Sequence, residues 1–167
     1  PPEHLIPGLM GEDQPSDFPE FTNVAARAGV DTFSLAGGAI ADDFDNDGHI
    51  DLVVSTFDPR EPLQVFWNRG DGTFSPSDDP NLKAIRGGLN LVQTDYNNDG
   101  LLDVFVMRGG WLGAAGKHPN SLLHNQGSRK FVDVSVRSGI EVGESYPSQT
   151  AAWADYDLDG DLDLYVG

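Results

Sequence analysis

Apolar residues in this chain gather in short runs rich in β-branched and aromatic side chains, each bounded by polar turn residues. Leu52-Val53-Val54, Val104-Phe105-Val106 and Leu164-Tyr165-Val166 are the clearest, and runs of this kind predict strands. Ahead of each lies a stretch of small residues: Gly37-Gly38-Ala39-Ile40-Ala41, Gly87-Gly88-Leu89-Asn90-Leu91 and, more loosely, Gln149-Thr150-Ala151-Ala152-Trp153. These predict an inner strand that packs closely about an axis, with a plain turn as the alternative. After the first two runs, Leu63–Asn68 and Ser121–Asn125 predict a third strand. Arg69–Phe74 and Gln126–Phe131 then predict a hairpin turn into a fourth.

One further repeat stands outside this pattern. Phe21–Val30 recurs 110 residues later as Phe131–Ile140, with Phe, Val, Arg and Gly at the same offsets. Each copy predicts a short strand running into a turn. Four strands per repeat, running up and down, is the plan of a β-propeller blade. In a closed ring the N-terminal copy can serve as the outer strand of the last blade and so cover an exposed edge.

Between the predicted first and second strands an acidic motif occurs three times. It reads D-x-[DN]-x-D-G-x-x-D: Asp43-Phe44-Asp45-Asn46-Asp47-Gly48-His49-Ile50-Asp51, then Asp95 to Asp103, then Asp155 to Asp163. Alternate oxygens followed by a glycine that permits a sharp turn let a short loop wrap a hard cation of Ca²⁺ size. The predicted ligands are the side chains of Asp43, Asp45, Asp47 and Asp51; of Asp95, Asn97, Asp99 and Asp103; and of Asp155, Asp157, Asp159 and Asp163. The backbone carbonyls of His49, Leu101 and Asp161 complete the three sets. An EF-hand shares the early positions but needs a bidentate Glu at position twelve and flanking helices. Position twelve here is Val54, Val106 and Val166, so strands follow the loops and the EF-hand is set aside. A solvated acidic turn explains one copy; three in register argue for metal. Asn97 removes one carboxylate and predicts the weakest site.

The motifs begin 52 and 60 residues apart, the spacing of propeller blades and related arrays, whose units cannot bury their apolar faces alone. The predicted organisation is a linker or arm over residues 1–20, an outer strand and turn over 21–36, and repeats over 37–86 and 87–145. A truncated third repeat covers 146–167. The net charge of −17, from 27 acidic and 10 basic residues, argues against nucleic acid or an anionic membrane as a partner for the whole surface. Three calcium ions would bring it to about −11. Without them the clustered carboxylates repel one another, which predicts that folding and calcium binding are coupled. The absence of cysteine removes disulfides, thiolate zinc sites and a cysteine nucleophile. No apolar run reaches the length of a membrane span, and no signal peptide is visible. Calcium modules of modest affinity suit an extracellular, periplasmic or cell-surface setting.

The loop D-x-D-x-D-G-x-x-D-L-x-V, with a Gly-rich strand before it and N-x-G-x-x-x-F after it, resembles the FG-GAP/VCBS repeats, propeller repeats similar to those of integrin α-subunits. "NRGDGTF", "WADYDLDGDLDLYV" and "FVDVSVRSGI" resemble the secreted ASPIC/UnbV type in particular. The resemblance covers about residues 21–167. It implies an all-β fold of four-stranded antiparallel blades, about two and a half of a ring that is seven-bladed when complete, with Ca²⁺ between the first and second strands of each blade.

In an up-and-down blade the calcium loops share one end with Arg69-Gly70-Asp71, which reads as an adhesion tripeptide or as the ordinary hairpin turn of the repeat. Loops 56–62 and 108–120 emerge at the other end. Arg108, Trp111, Lys117 and His118 there are candidate contacts for a protein or carbohydrate, against a bland alternative in which Trp111 packs on the rim and the cations balance acidic surface. The predicted function is a calcium-stabilised extracellular interaction or adhesion module. The rival is a polysaccharide lyase or hydrolase using Tyr146, His118, Lys117 or Arg108, which requires those four to converge in a pocket. A third reading is a split propeller completed by another chain. No H-E-x-x-H, G-x-S-x-G or Walker sequence occurs.

Overall fold

The computed structural model describes residues 21–32, 37–141 and 143–167. The predicted linker, residues 1–20, and residues 33–36 of the predicted outer segment lie outside these. Two four-stranded antiparallel sheets dominate. The first contains β1 (Ala39–Asp42), β2 (Asp51–Val54), β3 (Gln64–Asn68) and β4 (Phe74–Pro76); the second contains β5 (Asn90–Thr94), β6 (Asp103–Met107), β7 (Ser121–Asn125) and β8 (Phe131–Asp133). A third sheet pairs β9 (Ala151–Ala154) with β10 (Asp163–Val166). Strand order follows chain order throughout, as in propeller blades.

The inner hairpins share one register. Asp42 faces Asp51, Thr94 faces Asp103 and Ala154 faces Asp163. Each acidic motif is therefore the loop that closes the β1–β2, β5–β6 or β9–β10 hairpin, and its last Asp opens the second strand.

The blades bury their faces against one another. Phe44, Val53, Val65 and Trp67 of the first pack with Leu91, Val104, Val106, Leu123 and Phe131 of the second. Phe105, Met107 and Leu122 of the second pack with Trp153 and Leu164 of the third. All five residues of β6 are buried because blades cover it on both sides, which is why the four after Asp103 form a continuous apolar run. β2 alternates buried and half-buried positions. Aromatic pairs join the layers: Trp67 stacks on Phe131 at 6.4 Å, and Tyr96 stacks on Trp153 at 6.1 Å. Phe131, fully buried in this stack, contributes about 1.5–3 kcal/mol by burial.

Two segments differ from the predicted pattern. Phe21–Val30, read as a strand, contains a helical turn, α1 (Ala25–Ala28). Three alanines favour the helix, Asn23 Oδ1 accepts from Ala25 N at its start, and Gly29 closes it in the left-handed region at φ 80°. The later copy begins as strand β8 but then repeats the same turn. Ala28 N donates to Val24 O at 2.8 Å, Ser138 N donates to Val134 O at 2.8 Å, and Gly139 has φ 79°. The two copies share a turn; only the second has a strand neighbour, β7, to make its first half a strand. The other difference is a short helix, α2 (Pro80–Ala84), which no pattern predicted. Asp79 caps it by accepting from Asn81 N, and its other oxygen accepts from Phe131 N. The linker between the first two blades is thereby tied to the outer strand of the second.

Candidate metal centres

The three acidic loops are built alike, hydrogen bond for hydrogen bond. In the first, Asp43 accepts from Asp47 N at 3.0 Å and Gly48 N at 2.8 Å. Asp45 Oδ1 also accepts from Asp47 N, and Asp47 accepts from His49 N. Asp95, Asn97 and Asp99 repeat the set with Asp99 N, Gly100 N and Leu101 N. Asp155, Asp157 and Asp159 repeat it with Asp159 N, Gly160 N and Asp161 N. Asn46, Asn98 and Leu158 take positive φ near 60°, followed two residues later by Gly48, Gly100 and Gly160 at 85° to 98°. The left-handed steps curl the backbone so that the alternate side chains turn inward.

The ninth position anchors each loop to its blade. Asp51, fully buried, accepts from Phe44 N at 3.2 Å and from Asn68 N on β3 at 2.7 Å. Asp103, also fully buried, accepts from Tyr96 N at 3.3 Å and from Asn125 N on β7 at 2.7 Å. Asp163 accepts from Tyr156 N at 2.9 Å and is exposed. Burial pushes the Asp51 carboxyl up, with the charges of Asp45 and Asp47 adding to it and the Asn68 and Phe44 N–H groups opposing. Burial likewise raises Asp103, against the hydrogen bonds from Asn125 N and His124.

The donor set fits a hard cation. Ligand oxygens of Asp43, Asp45 and Asp51 lie within 4.8 Å of one another, as do those of Asp155, Asp157 and Asp159. Oxygens on opposite sides of Ca²⁺ stand about 5 Å apart. Among the described residues the carbonyls of His49, Leu101 and Asp161 accept no hydrogen bond, leaving them free to ligate. The second loop does not gather three carboxylates in this way. Asn97 stands among Asp95, Asp99 and Asp103, and its amide Nδ2 donates to Asp99 Oδ2 at 2.9 Å.

Three contributors to these centres were not among the residues singled out from the sequence. Asn125, fully buried, donates from Nδ2 to Phe44 O at 2.7 Å and to Leu102 O at 3.1 Å, bridging two blades. It is the Asn of the N-x-G turn, so the motif itself was the available signal. His124 Nδ1 lies 3.1 Å from Asp103 Oδ1 and 3.3 Å from Asn97 Nδ2. Arg129, in the β7–β8 turn, reaches back to the first loop. Nothing local marks either residue.

At the other end of the blades the four candidate contacts take different places, with Arg108 and His118 on one cleft. Arg108 is buried, and its guanidinium donates to Arg86 O at 2.8 Å, Pro119 O at 2.7 Å and Ser121 Oγ at 2.9 Å. Burial lowers its pKa while Asp133 and Glu141 raise it. Trp111 sits in a 3₁₀ segment, Gly110–Ala115, half-buried against Phe57 at 5.8 Å between ring centres. Lys117 pairs with Glu144 at 3.2 Å and lies 6.0 Å from the Tyr146 ring centre. His118 lines an open cleft of about 320 Å³ together with Arg86 and Arg108. Among the described residues, no hydrogen bond joins any two of Tyr146, His118, Lys117 and Arg108. Arg69-Gly70-Asp71 forms the β3–β4 hairpin turn, where Asp71 accepts from Thr73 N at 2.9 Å and Thr73 Oγ1 at 2.6 Å.

Fold and loops together define a blade-built β protein carrying an acidic turn on each inner hairpin. Residues 43–106, from the first loop through the inner hairpin of the second blade, match the family model of the FG-GAP-like repeat. The chain is 27% identical over 149 residues to human cartilage acidic protein 1, and 26% identical over 153 residues to the protein of that name from Xenopus tropicalis. Each alignment takes in 86% of this chain and 21% of the relative, so the chain spans about a fifth of the length of the curated relatives it matches. Among the described residues no helix is long and apolar enough to cross a membrane.

Proposed function

We propose that the chain is a calcium-stabilised interaction module working outside the cell or at its surface, holding up to three Ca²⁺ ions and contacting protein or glycan through the loops opposite them. The observation that carries the reading is the threefold repetition of one carboxylate-to-amide wrapping, closed each time by an Asp at the start of the second strand. Bound ions would neutralise carboxylates that otherwise repel, so calcium acts here as a fold-stabilising group. The relatives are named for cartilage and for acidity, and both suit a chain of net charge −17 placed where calcium is plentiful.

Contact with a partner falls to the loop that carries Trp111, Lys117 and His118. Arg108 holds that loop from beneath. Partner and ligand class are tested on a glycan array and by pull-down with the full chain, where Trp111→Ala should abolish the signal without lowering the melting temperature by more than a few degrees.

The calcium reading is tested by thermal melting with excess Ca²⁺ and with chelator. A site at a hundred times its dissociation constant adds about 2.7 kcal/mol, so the melting temperature should fall on chelation. Asp47→Ala or Asp159→Ala should each reproduce part of the loss. Identical curves in the two conditions would overturn it. One further observation favours additional strands, from this chain or another, beside the third sheet: Tyr165 is 75% exposed, and an apolar hollow of about 350 Å³ is lined by Ala152, Tyr156 and Leu164. Native mass spectrometry distinguishes a self-contained chain from one that takes up a second.

A further inference from the structure

The β3–β4 and β7–β8 turns have the same length and the same closing hydrogen bond, the second adding a left-handed residue at Ser128 (φ 52°). Asn68 faces Phe74 as Asn125 faces Phe131, and Arg69 N donates to Thr73 O as Gln126 N donates to Lys130 O. Their sequences differ at a telling place. Where the first turn has Gly72 at φ 83°, the second has Arg129 at φ 63°. A branched-out side chain in the left-handed region costs about 1 kcal/mol that glycine avoids, and such outliers point from observed strain to use.

The side chain of Arg129 is spent on the neighbouring blade. Its Nε donates to Asp45 Oδ2 at 2.6 Å, its second terminal nitrogen approaches Asp47 Oδ2 at 3.4 Å, and its guanidinium lies 5.3 Å from the centre of the Trp67 ring. Asp45 and Asp47 are the third and fifth positions of the first loop. Asp45 Oδ1 already accepts from Asp47 N, so both Asp45 oxygens are engaged, and its side chain is only 8% exposed beneath the arginine. Among the described residues the second and third loops have no arginine or lysine on their carboxylates.

We infer that Arg129 is a tethered cation for the first loop: it occupies the carboxylates of Asp45 and Asp47 when the divalent ion is away, and the ion must displace it to bind. This rests on the calcium reading above and deepens it. A unit positive charge within hydrogen-bond reach of two ligands opposes a second cation by direct repulsion and by holding the lone pairs the ion needs. The cost falls on the first site alone. In return the metal-free loop keeps a partner, and the outer turn of the second blade stays latched to the first. Calcium entry and release of the latch are then one event, with the Trp67 face as the resting place of the freed guanidinium.

Calcium titration calorimetry on the full chain, comparing wild type with Arg129→Gly and Arg129→Lys, tests this. Arg129→Gly copies the residue of the sister turn, so the turn should still form. One of its sites should tighten by about three- to tenfold, the others staying as they were, while Arg129→Lys should remain near wild type. A second measurement needs no variant beyond the one that assigns the signal: the Arg129 Nε–H resonance of the wild-type protein should move when calcium saturates the chain. Superimposable isotherms for wild type and Arg129→Gly, or an Nε–H resonance unmoved at saturation, overturn the tethered-cation role while leaving calcium binding intact. A wild type that shows neither calcium heat nor a melting response overturns both.

Discussion

The two ends of the blades obey different rules. At the end that carries the acidic loops, three segments of the chain reproduce one another down to individual hydrogen bonds and φ values. At the other end, among the described residues, the β2–β3 and β6–β7 connections do not repeat one another. The β2–β3 connection is a tight bend in which Asp58 accepts from Arg60 N and from its guanidinium, at 2.9 Å and 2.6 Å. The β6–β7 connection is longer, holds a 3₁₀ segment and is pinned from below by Arg108. A repeating end is what a scaffold needs, since each hairpin solves the same closure problem. A varied end is where one blade can differ from the next at little cost to the fold, which is the usual place for recognition.

The largest effects of substitution should therefore lie at the repeating end, and they should follow burial. Asp103→Ala or Asp51→Ala strands two backbone N–H groups beside a core and should cost about 2–4 kcal/mol in denaturant unfolding. Asp163 is exposed and, among the described residues, accepts from Tyr156 N alone, so Asp163→Ala in this chain should cost about 1 kcal/mol or less. Equal losses at Asp51 and Asp163 would show that the anchoring comes from the loop rather than from the blade. The next effect sharpens the contrast from the other end. Arg108→Ala leaves Arg86 O and Pro119 O without their donor and should cost about 2 kcal/mol, with little recovered in Arg108→Lys because an ammonium cannot span the same three acceptors. The exposed Lys117–Glu144 pair should matter by less than about 0.5 kcal/mol on Lys117→Ala.

What could be read from the sequence divides along the same line. The loops were legible because their geometry is local: Asp, Gly and the ninth Asp act within nine residues, and the strand that follows declares itself by its apolar run. β7 was legible to the residue for the same reason. Contacts made over long separations were not. Arg129 meets Asp45 from 84 residues away, and the only local trace is an arginine where the sister turn has glycine. Arg108 looked like an exposed anchor because it borders a glycine-rich loop. Its partners are mostly backbone carbonyls, which have no signature in sequence. Phe21–Val30 failed as a strand for a third reason: its likeness to residues 131–140 is real, but strand is a property of having a neighbour, and only the later copy lies beside β7.

The smallest predicted effect separates the two ends by sign. Asp51, raised by burial, has a folded-state value above the roughly 3.9 of an unfolded Asp. In chelator its contribution to stability is thus present below about pH 4 and lost as pH rises through the folded value. Asp58, at the other end, is held down to about 2 by the hydrogen bonds from Arg60. Its contribution is present above about pH 4 and lost as pH falls through 2. Unfolding of wild type, Asp51→Asn and Asp58→Asn between pH 2 and 7, all in chelator, isolates each by difference. Relative to Asp51→Asn the wild type should gain stability on acidification; relative to Asp58→Asn it should lose it. Differences sloping the same way would remove the electrostatic distinction between the ends. Adding calcium should then turn the Asp51 slope over, because an ion that needs the carboxylate charged favours the high-pH side, while the Asp58 slope, remote from any loop carboxylate, should stay as it was.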